Sequence, residues 1–400
     1  MRIVIATDQF PPNVFGGMAT HAINIARFLG VRHEVLVVVL RTARHPDAYV
    51  SEPFEVRPLL TKRFPALDFR ILEHAAQNFR ADVIHACTAG LADRRLATRF
   101  PVVTRVVGND FLRPWCGYNM LFRSLLYRVP GQGIKTAVGK CEMAIRKSRV
   151  ITSLCASRTV VANSGWTREQ LLAEGAPERI IETVVGGVDV QRFQPCSDKE
   201  ALRRKLGLPA GVPLVMTAGN LIESKNMGTV VRAVAHLAVE FPSLHHVIAG
   251  TGPGENALRE LATGLGVADR ILFVGKLGHT ELCKHYQATD LYVLVSREES
   301  MGRTYFEAGA CGIPVIGGRV GGVPDVIRHG ANGFLVDDPE DVRETASCME
   351  KLLCDEALRR RMGQAGLKRA PEEFSWDAVG AGFEELLICA AGGDRTSGAT

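Results

Sequence analysis

Short apolar runs alternate with stretches of helical periodicity along almost the whole chain. Continuous apolar runs of this length read as strands buried on both faces, the mark of parallel sheets. In the first half they predict strands near Ile3–Ala6, Glu34–Leu40, Asp82–Ala86, Val102–Val107 and Thr159–Ala162, with a helix over Ala19–Leu29. In the second half they predict strands near Pro213–Ala218, His245–Ala249, Ile271–Val274, Leu291–Val295, Pro314–Ile316 and Gly333–Val336. Helices fit Asn226–Glu240, Glu255–Leu265, Thr280–Gln287 and Asp341–Leu353. Parallel neighbours need a crossover, and helices between the strands supply it. The fold class is therefore α/β. At 400 residues the chain is too long for one ordinary core, so two α/β units are expected. The boundary falls between Gly187 and Val212, where Pro195, Pro209, Pro213 and the charged run Asp198-Lys-Glu200 suit a linker and a short helix. The partition expected is 1–190, 191–373, a C-terminal helix over 374–390, and a small, polar, disordered tail over 391–400.

Composition removes several functions. Apolar residues at 46% and charged residues at 23% describe an ordinary globular protein. A net charge of +5 is too small to imply nucleic acid. The ten cysteines show no Cys-x2-Cys pair and no Cys/His cluster of ligand spacing, so neither a metal nor a cofactor is expected, and a cytoplasmic setting with reduced thiols is. Met1–Thr7 reads as a first strand rather than a signal peptide, and Val35–Leu40 is far too short to span a bilayer. Charge is uneven, however. Between Arg105 and Arg149 nine Lys/Arg face only Asp110 and Glu142, with Met120, Leu121, Phe122, Leu125, Leu126 and Tyr127 interleaved. That region reads as a solvated helical face, as an anionic acceptor site, or as a peripheral contact with an inner membrane surface.

The segment with the most chemistry is Glu299-Ser-Met-Gly-Arg-Thr-Tyr-Phe-Glu307. It follows the apolar run Asp290–Ser296 and opens a small-residue helix. Glu299 then lies on a strand-to-helix loop and Glu307 about one turn inside the helix. The backbone N–H groups of Ser300–Arg303 lie between them at a helix N-terminus, which suits phosphate. Phosphate donors flanked by two carboxylates fit a ligand with phosphates in the middle and hydroxyl-rich sugars at its ends. In Gly219-Asn220-Leu-Ile-Glu-Ser-Lys225, after the first strand of the second half, Lys225 opens a helix and is placed to meet an anion. Gly250-Thr-Gly-Pro-Gly254 lacks the third glycine of a dinucleotide fingerprint, since that position is Glu255, and it reads as a structural turn. Gly317-Gly318 and Gly321-Gly322 suit either a turn or a close approach to a ligand. Gly16-Gly17, after the first strand, can let backbone approach a phosphate or sugar. Asp8, His85 and Asp110 end first-half strands or lie just past them, and Trp115 is a candidate acceptor platform.

These residues together resemble the retaining glycosyltransferases of family 4, which have the GT-B fold. The resemblance rests on Gly219 with Lys225, Ala249-Gly-Thr-Gly-Pro-Gly254, Phe273-Val-Gly275, Ala288-Thr-Asp-Leu-Tyr292, Glu299-x7-Glu307, Glu307–Val315, Gly321–Asp325 and Asn332–Val336, and less specifically on Gly16-Gly17, Asp82-Val-Ile-His85, Asn163-Ser164 and Gly187-Val-Asp189. It implies two facing Rossmann-like domains that close by hinge motion on a nucleotide-diphosphate sugar, with Trp376–Ile388 crossing back. It implies donor contacts from Gly16, Gly17, Gly219, Asn220, Lys225, Lys276, Glu299, Ser300, Met301, Gly302, Arg303 and Glu307. Lys225 would neutralise the diphosphate, Glu307 would take the ribose hydroxyls, Glu299 would lie by the donor sugar, and backbone near Gly275-Lys276 would meet the base. Glu299, Lys225 and Asp110 are the catalytic candidates; Asp8, His85, Asp110 and Trp115 are the acceptor candidates. The reaction implied retains anomeric configuration and needs no metal, with a UDP-sugar donor and a hydroxyl acceptor such as a small natural-product or aminocyclitol core. A lipid-linked or polysaccharide acceptor, and a catalytically degenerate nucleotide-binding protein, are the alternatives. The chain departs from the family pattern at Val107, where histidine is frequent, and at Asn220, where arginine is frequent. Arg303, at the helix start, is expected to supply the missing charge, so that Arg303→Ala weakens nucleotide binding more than Arg319→Ala.

Overall fold

The computed structural model describes residues 1–11, 17–41, 51–61, 65–108 and 148–392. The chain divides into two compact units, Met1–Gly186 together with Val379–Thr400, and Gly187–Ala378.

The first unit is built on a seven-stranded sheet in the order β3-β2-β1-β4-β5-β6-β7. The strands are β1 (Arg2–Ala6), β2 (Glu34–Leu40), β3 (Glu55–Leu60), β4 (Val83–Ala86), β5 (Val102–Val106), β6 (Thr159–Ala162) and β7 (Ile181–Thr183). Every pairing is parallel. Helices α1 (Gly17–Gly30) and α2 (Pro65–Phe79) are crossovers in this unit. β1, β4 and β5 are buried over nearly their whole length, as their continuous apolar runs require. The two strands missed in the sequence lie at the sheet edges. Pro58 interrupts β3, which an edge strand tolerates because one side of it needs no donor; β7 is three residues long.

The second unit carries a six-stranded sheet in the order β10-β9-β8-β11-β12-β13, again wholly parallel. Its strands are β8 (Leu214–Ala218), β9 (His245–Ala249), β10 (Ile271–Gly275), β11 (Leu291–Leu294), β12 (Val315–Gly318) and β13 (Gly333–Val336). Its main helices are α3 (Lys199–Leu206), α4 (Met227–Leu237), α5 (Glu255–Gly264), α6 (His279–Gln287), α7 (Arg303–Ala310), α8 (Val342–Cys354) and α9 (Glu356–Glu373). A last helix, α10 (Trp376–Ala390), begins in this unit and continues into the residues grouped with the first. Both sheets have the doubly wound order, in which the order of strands reverses beside the first strand while all strands stay parallel, and ligands of such sheets sit at the carboxyl ends of the strands there.

Asp290 explains why Ala288-Thr-Asp-Leu-Tyr292 holds its place. Its carboxylate accepts from Lys199 Nζ at 3.0 Å, Arg203 Nη2 at 2.7 Å and the Leu214 backbone N–H at 2.9 Å. It thereby fastens the start of β11 to the start of β8 and to α3. Arg203 is almost wholly buried and also donates to the carbonyls of Ala288 and Val212, both at 2.8 Å.

Candidate functional site

β8 and β11 are neighbours at the reversal point of the second sheet, so the loops that leave their carboxyl ends lie side by side. The loop after β8 closes in a tight turn, Glu223–Lys225, and Asn226 follows with φ +49°. Asn226 stabilises this turn: its Nδ2 donates to the Val295 carbonyl at 3.1 Å and to the Pro339 carbonyl at 2.7 Å. The Arg297 N–H donates to the Ser224 carbonyl at 2.9 Å, closing the two loops together. The result sets Lys225 against Glu299, and the ammonium donates to Glu299 Oε2. Leu221 N–H donates to the Thr251 carbonyl at 3.0 Å and Gly254 N–H to the Leu221 carbonyl at 2.8 Å. The Gly250–Gly254 segment thus backs the loop that carries Lys225, in keeping with a structural turn.

Gly321-Gly322 holds Glu299 from the other side. Gly322 N–H donates to the Glu299 carbonyl at 3.1 Å. A Cβ on Gly321, whose φ is +52°, would lie 1.7 Å from that same oxygen. The glycine pair therefore serves close backbone contact with the loop. Gly321→Ala is expected to destabilise the unit by about 1–3 kcal/mol through overpacking and strain, and to lower activity with it. A urea melt with parallel assays checks this; an unchanged midpoint would show that the loop yields freely.

Gly302, with φ +82°, starts α7 without a side-chain cap, so the helix presents its first N–H groups with no capping side chain. Beneath them run Tyr286, Tyr292 and Tyr305, with ring centroids 5.5 Å and 5.6 Å apart. Tyr292 donates to the Ala218 carbonyl at 3.1 Å and Tyr305 to the Leu294 carbonyl, so each hydroxyl satisfies a carbonyl at the end of a site strand. Sequence reasoning missed this ladder and Asn226. The available signal was that three of the six tyrosines fall between 286 and 305.

Glu307 is buried in α7, and both carboxylate oxygens are engaged. Oε1 receives Arg303 Nη2 at 3.3 Å and Oε2 receives the Tyr286 hydroxyl at 3.2 Å. Burial pushes its pKa above the usual carboxylate value, and the Arg303 charge with the tyrosine bond opposes that rise. Arg192 Nη1 lies 3.3 Å from His279 Nδ1, and burial with the nearby Arg303 and Arg192 charges holds that imidazole below its ordinary pKa.

The remaining candidates divide. Asn220 and Lys276 are exposed, Gly219 and Ser300 are half-buried, Met301 is buried, and Gly17 is the exposed first residue of α1. Gly16, Asp110, Trp115 and nearly all of Arg105–Arg149 lie outside the described residues, as does the tail beyond Gly392. Asp8 is half-buried just past β1. His85, expected to face an acceptor, is instead a core residue. It has no exposed surface, its Nδ1 lies 3.2 Å from the Val103 carbonyl, its Nε2 lies 3.3 Å from His21 Nε2, and its ring centroid is 5.0 Å from that of Phe383. β4 is buried on both faces, and at this position His21 of α1 and Phe383 of α10 pack against the ring, which accounts for the difference.

His21, His85 and Cys87 bring three potential ligand atoms within 4.8 Å of one another. The Arg105 charge acts on all three groups and works against a cation there. Burial, with the Arg105 charge beside it, lowers the His21 pKa, and burial brings that of His85 to about 4. Burial also pushes the Cys87 thiol up to about 12, so the sulfur is held protonated.

The glycosyl transferases group 1 model matches residues 198–369, and the glycosyltransferase family 4 model matches residues 15–192. The chain is 27% identical over 402 residues to the GDP-mannose-dependent alpha-(1-6)-phosphatidylinositol monomannoside mannosyltransferase of Mycobacterium tuberculosis, covering 96% of this chain and 98% of that protein. The enzyme of the same description from Mycolicibacterium smegmatis is 32% identical over 232 residues, 56% of this chain and 60% of its own length. The D-inositol 3-phosphate glycosyltransferase of Thermobifida fusca is 36% identical over 232 residues, 55% of this chain and 52% of its own length. Among solved structures, Anabaena HepE in complex with UDP superposes with a TM-score of 0.76 at 21% identity, covering 97% of this chain and 100% of that one. The two parallel Rossmann-like sheets are those of the GT-B fold, and the chain belongs to glycosyltransferase family 4. Among the described residues no helix is long and apolar enough to cross a membrane.

Proposed function

We propose that this protein transfers a glycosyl group from a nucleoside-diphosphate sugar to a hydroxyl acceptor with retention of configuration and without a metal. The observation that carries the reading is the pairing at the β8 and β11 ends: Lys225 with Glu299, beside the uncapped start of α7 and the buried Glu307. The diphosphate takes Lys225 and the α7 amides, in place of a divalent cation. Glu299 is left to the donor sugar hydroxyls and Glu307 to the ribose. With no general base assigned at the reacting carbon, the leaving diphosphate accepts the acceptor proton on the face from which it departs.

The sequence favours a UDP-linked donor and a small polar acceptor. A second reading, GDP-mannose with an inositol-bearing lipid acceptor, is favoured by the M. tuberculosis relative that aligns over nearly its whole length. Thermal-shift titration with UDP, GDP, ADP and dTDP and their sugars separates these, because a ligand of the native state raises the melting temperature by mass action. Response to UDP compounds alone supports the first reading, and response to GDP and GDP-mannose the second. Tight nucleotide binding without hydrolysis or transfer from any sugar donor would instead identify a degenerate nucleotide-binding protein. Co-sedimentation with anionic vesicles tests membrane contact through residues 105–149, and no binding removes the lipid acceptor.

A further inference from the structure

We propose that Arg303 works in two positions: without donor it holds Glu307 closed, and with donor it leaves that carboxylate to the ribose and passes its guanidinium to the diphosphate. This rests on the reading of the site as one for a nucleoside-diphosphate sugar.

Three observations converge. First, both Glu307 oxygens are already engaged: Arg303 Nη2 donates to Oε1 and the Tyr286 hydroxyl to Oε2. Each oxygen keeps a further lone pair, but Glu307 is only 5% exposed, so a ribose diol reaches it only where one partner moves aside. Second, only one partner is placed to leave. Tyr286 has no exposed surface and packs edge-on against Tyr292, whereas the Arg303 side chain is 24% exposed at the first turn of α7. Third, the resting position of Arg303 satisfies it poorly. It makes one contact to Glu307, at 3.3 Å, where a well-seated guanidinium would be bidentate and shorter. Its Nε is buried with no acceptor among the described residues. A donor of this kind gains most from a new acceptor nearby, and the uncapped amides that begin with its own helix mark where one would sit. Arg192 does not stand in for it, being engaged with Asp189 at 3.5 Å and His279 at 3.3 Å.

The exchange has consequences of opposite sign for two probes. A nucleoside without phosphate must break the Arg303–Glu307 pair and recovers nothing, whereas a nucleoside diphosphate recovers the guanidinium. Calorimetry on Arg303→Met should therefore show the nucleoside binding about two- to fivefold tighter, as expected for release of a partly exposed ion pair. The matching diphosphate should bind about tenfold or more weaker, as expected for loss of a charge-assisted contact. Glu307→Gln gives the converse control. It cannot hold Arg303 as an ion pair, so inorganic pyrophosphate should bind this variant more tightly than wild type. Glu307→Gln also keeps the test alive if Arg303→Met fails to fold. Parallel weakening of nucleoside and diphosphate in Arg303→Met, or unchanged pyrophosphate binding in Glu307→Gln, would overturn the exchange while leaving the donor reading intact. Failure of the wild type to bind any nucleoside diphosphate would overturn the donor reading and the exchange together.

Discussion

Lys225→Met should lower kcat/KM for glycosyl transfer by about 10²–10³, the scale seen when one preorganised charge stabiliser is lost from a site where charge develops. Methionine keeps the length and apolar stem of the lysine, so the loss reads the ammonium rather than packing. In the donor-free protein the ammonium donates to Glu299. The substitution therefore also leaves a carboxylate, 13% exposed, without its counter-charge beside the position assigned to the diphosphate. Both effects act against an incoming anion. Glu299→Gln alone should weaken sugar-dependent turnover more than nucleotide affinity. In the double variant the costs should fall short of additive, with a coupling of about 0.5–3 kcal/mol expected for groups in contact. Steady-state kinetics with calorimetric nucleotide affinities give all four corners of the cycle. A Lys225→Met enzyme with full activity would remove the ammonium from the mechanism.

The second large effect is on stability. Asp290→Asn leaves the guanidinium of Arg203, 2% exposed, without its nearer and more buried anionic partner, and only the 43% exposed Glu200 remains, at 3.0 Å. Breaking a buried pair on one side costs about 3–5 kcal/mol, and the midpoint of urea unfolding should move accordingly. The pH dependence follows from the same contacts. Burial alone would raise the Asp290 pKa, but Lys199 and Arg203, with the Leu214 N–H, outweigh it and hold the carboxyl below its ordinary value. A group depressed on folding stabilises the native state fully above its unfolded pKa, about 3.9 for aspartate, and loses that contribution as pH falls through the folded value. Wild-type stability should thus decline below about pH 4 more steeply than that of Asp290→Asn. Parallel curves for the two proteins would show that the ion pair contributes nothing to acid sensitivity.

What was legible in the sequence was whatever is written in local periodicity. β2, β6, β9 and β13 begin and end where their apolar runs do, and α1, α5 and α6 lie within two residues of their predicted limits. Helix α9 was not legible, for a physical reason. It packs on α7 through Gly366 against Gly309, and a Cβ at Gly363 would stand 2.1 Å from the Gly312 carbonyl. Its buried residues are Met362, Gly363, Gly366, Arg369 and Ala370, with one large apolar side chain among them, so there is no apolar stripe to detect. The Glu299–Glu307 segment could be recognised because its spacing along the chain is fixed by one loop and one turn of helix. The partners of these residues could not, since Asn226 reaches Val295 and Pro339 and Tyr286 reaches Glu307 across the fold, and no sequence interval encodes such contacts. His85 shows the converse. Its place at a strand end suggested exposure, and only the packing of His21 and Phe383 against it reveals a core residue.

The two ion pairs of the site have a kinetic meaning as well. Lys225 balances Glu299 and Arg303 balances Glu307, so before a ligand arrives the four groups present no net charge. A pocket of this kind casts little field into the surrounding water. These four groups add little long-range pull on phosphates, and their own contribution to the rate of encounter should change little with ionic strength. The pocket's cations become available only to a molecule that offers hydroxyls to the carboxylates in the same event. Discrimination against the abundant simple phosphates of a cell then resides in how long a ligand stays rather than how often it arrives.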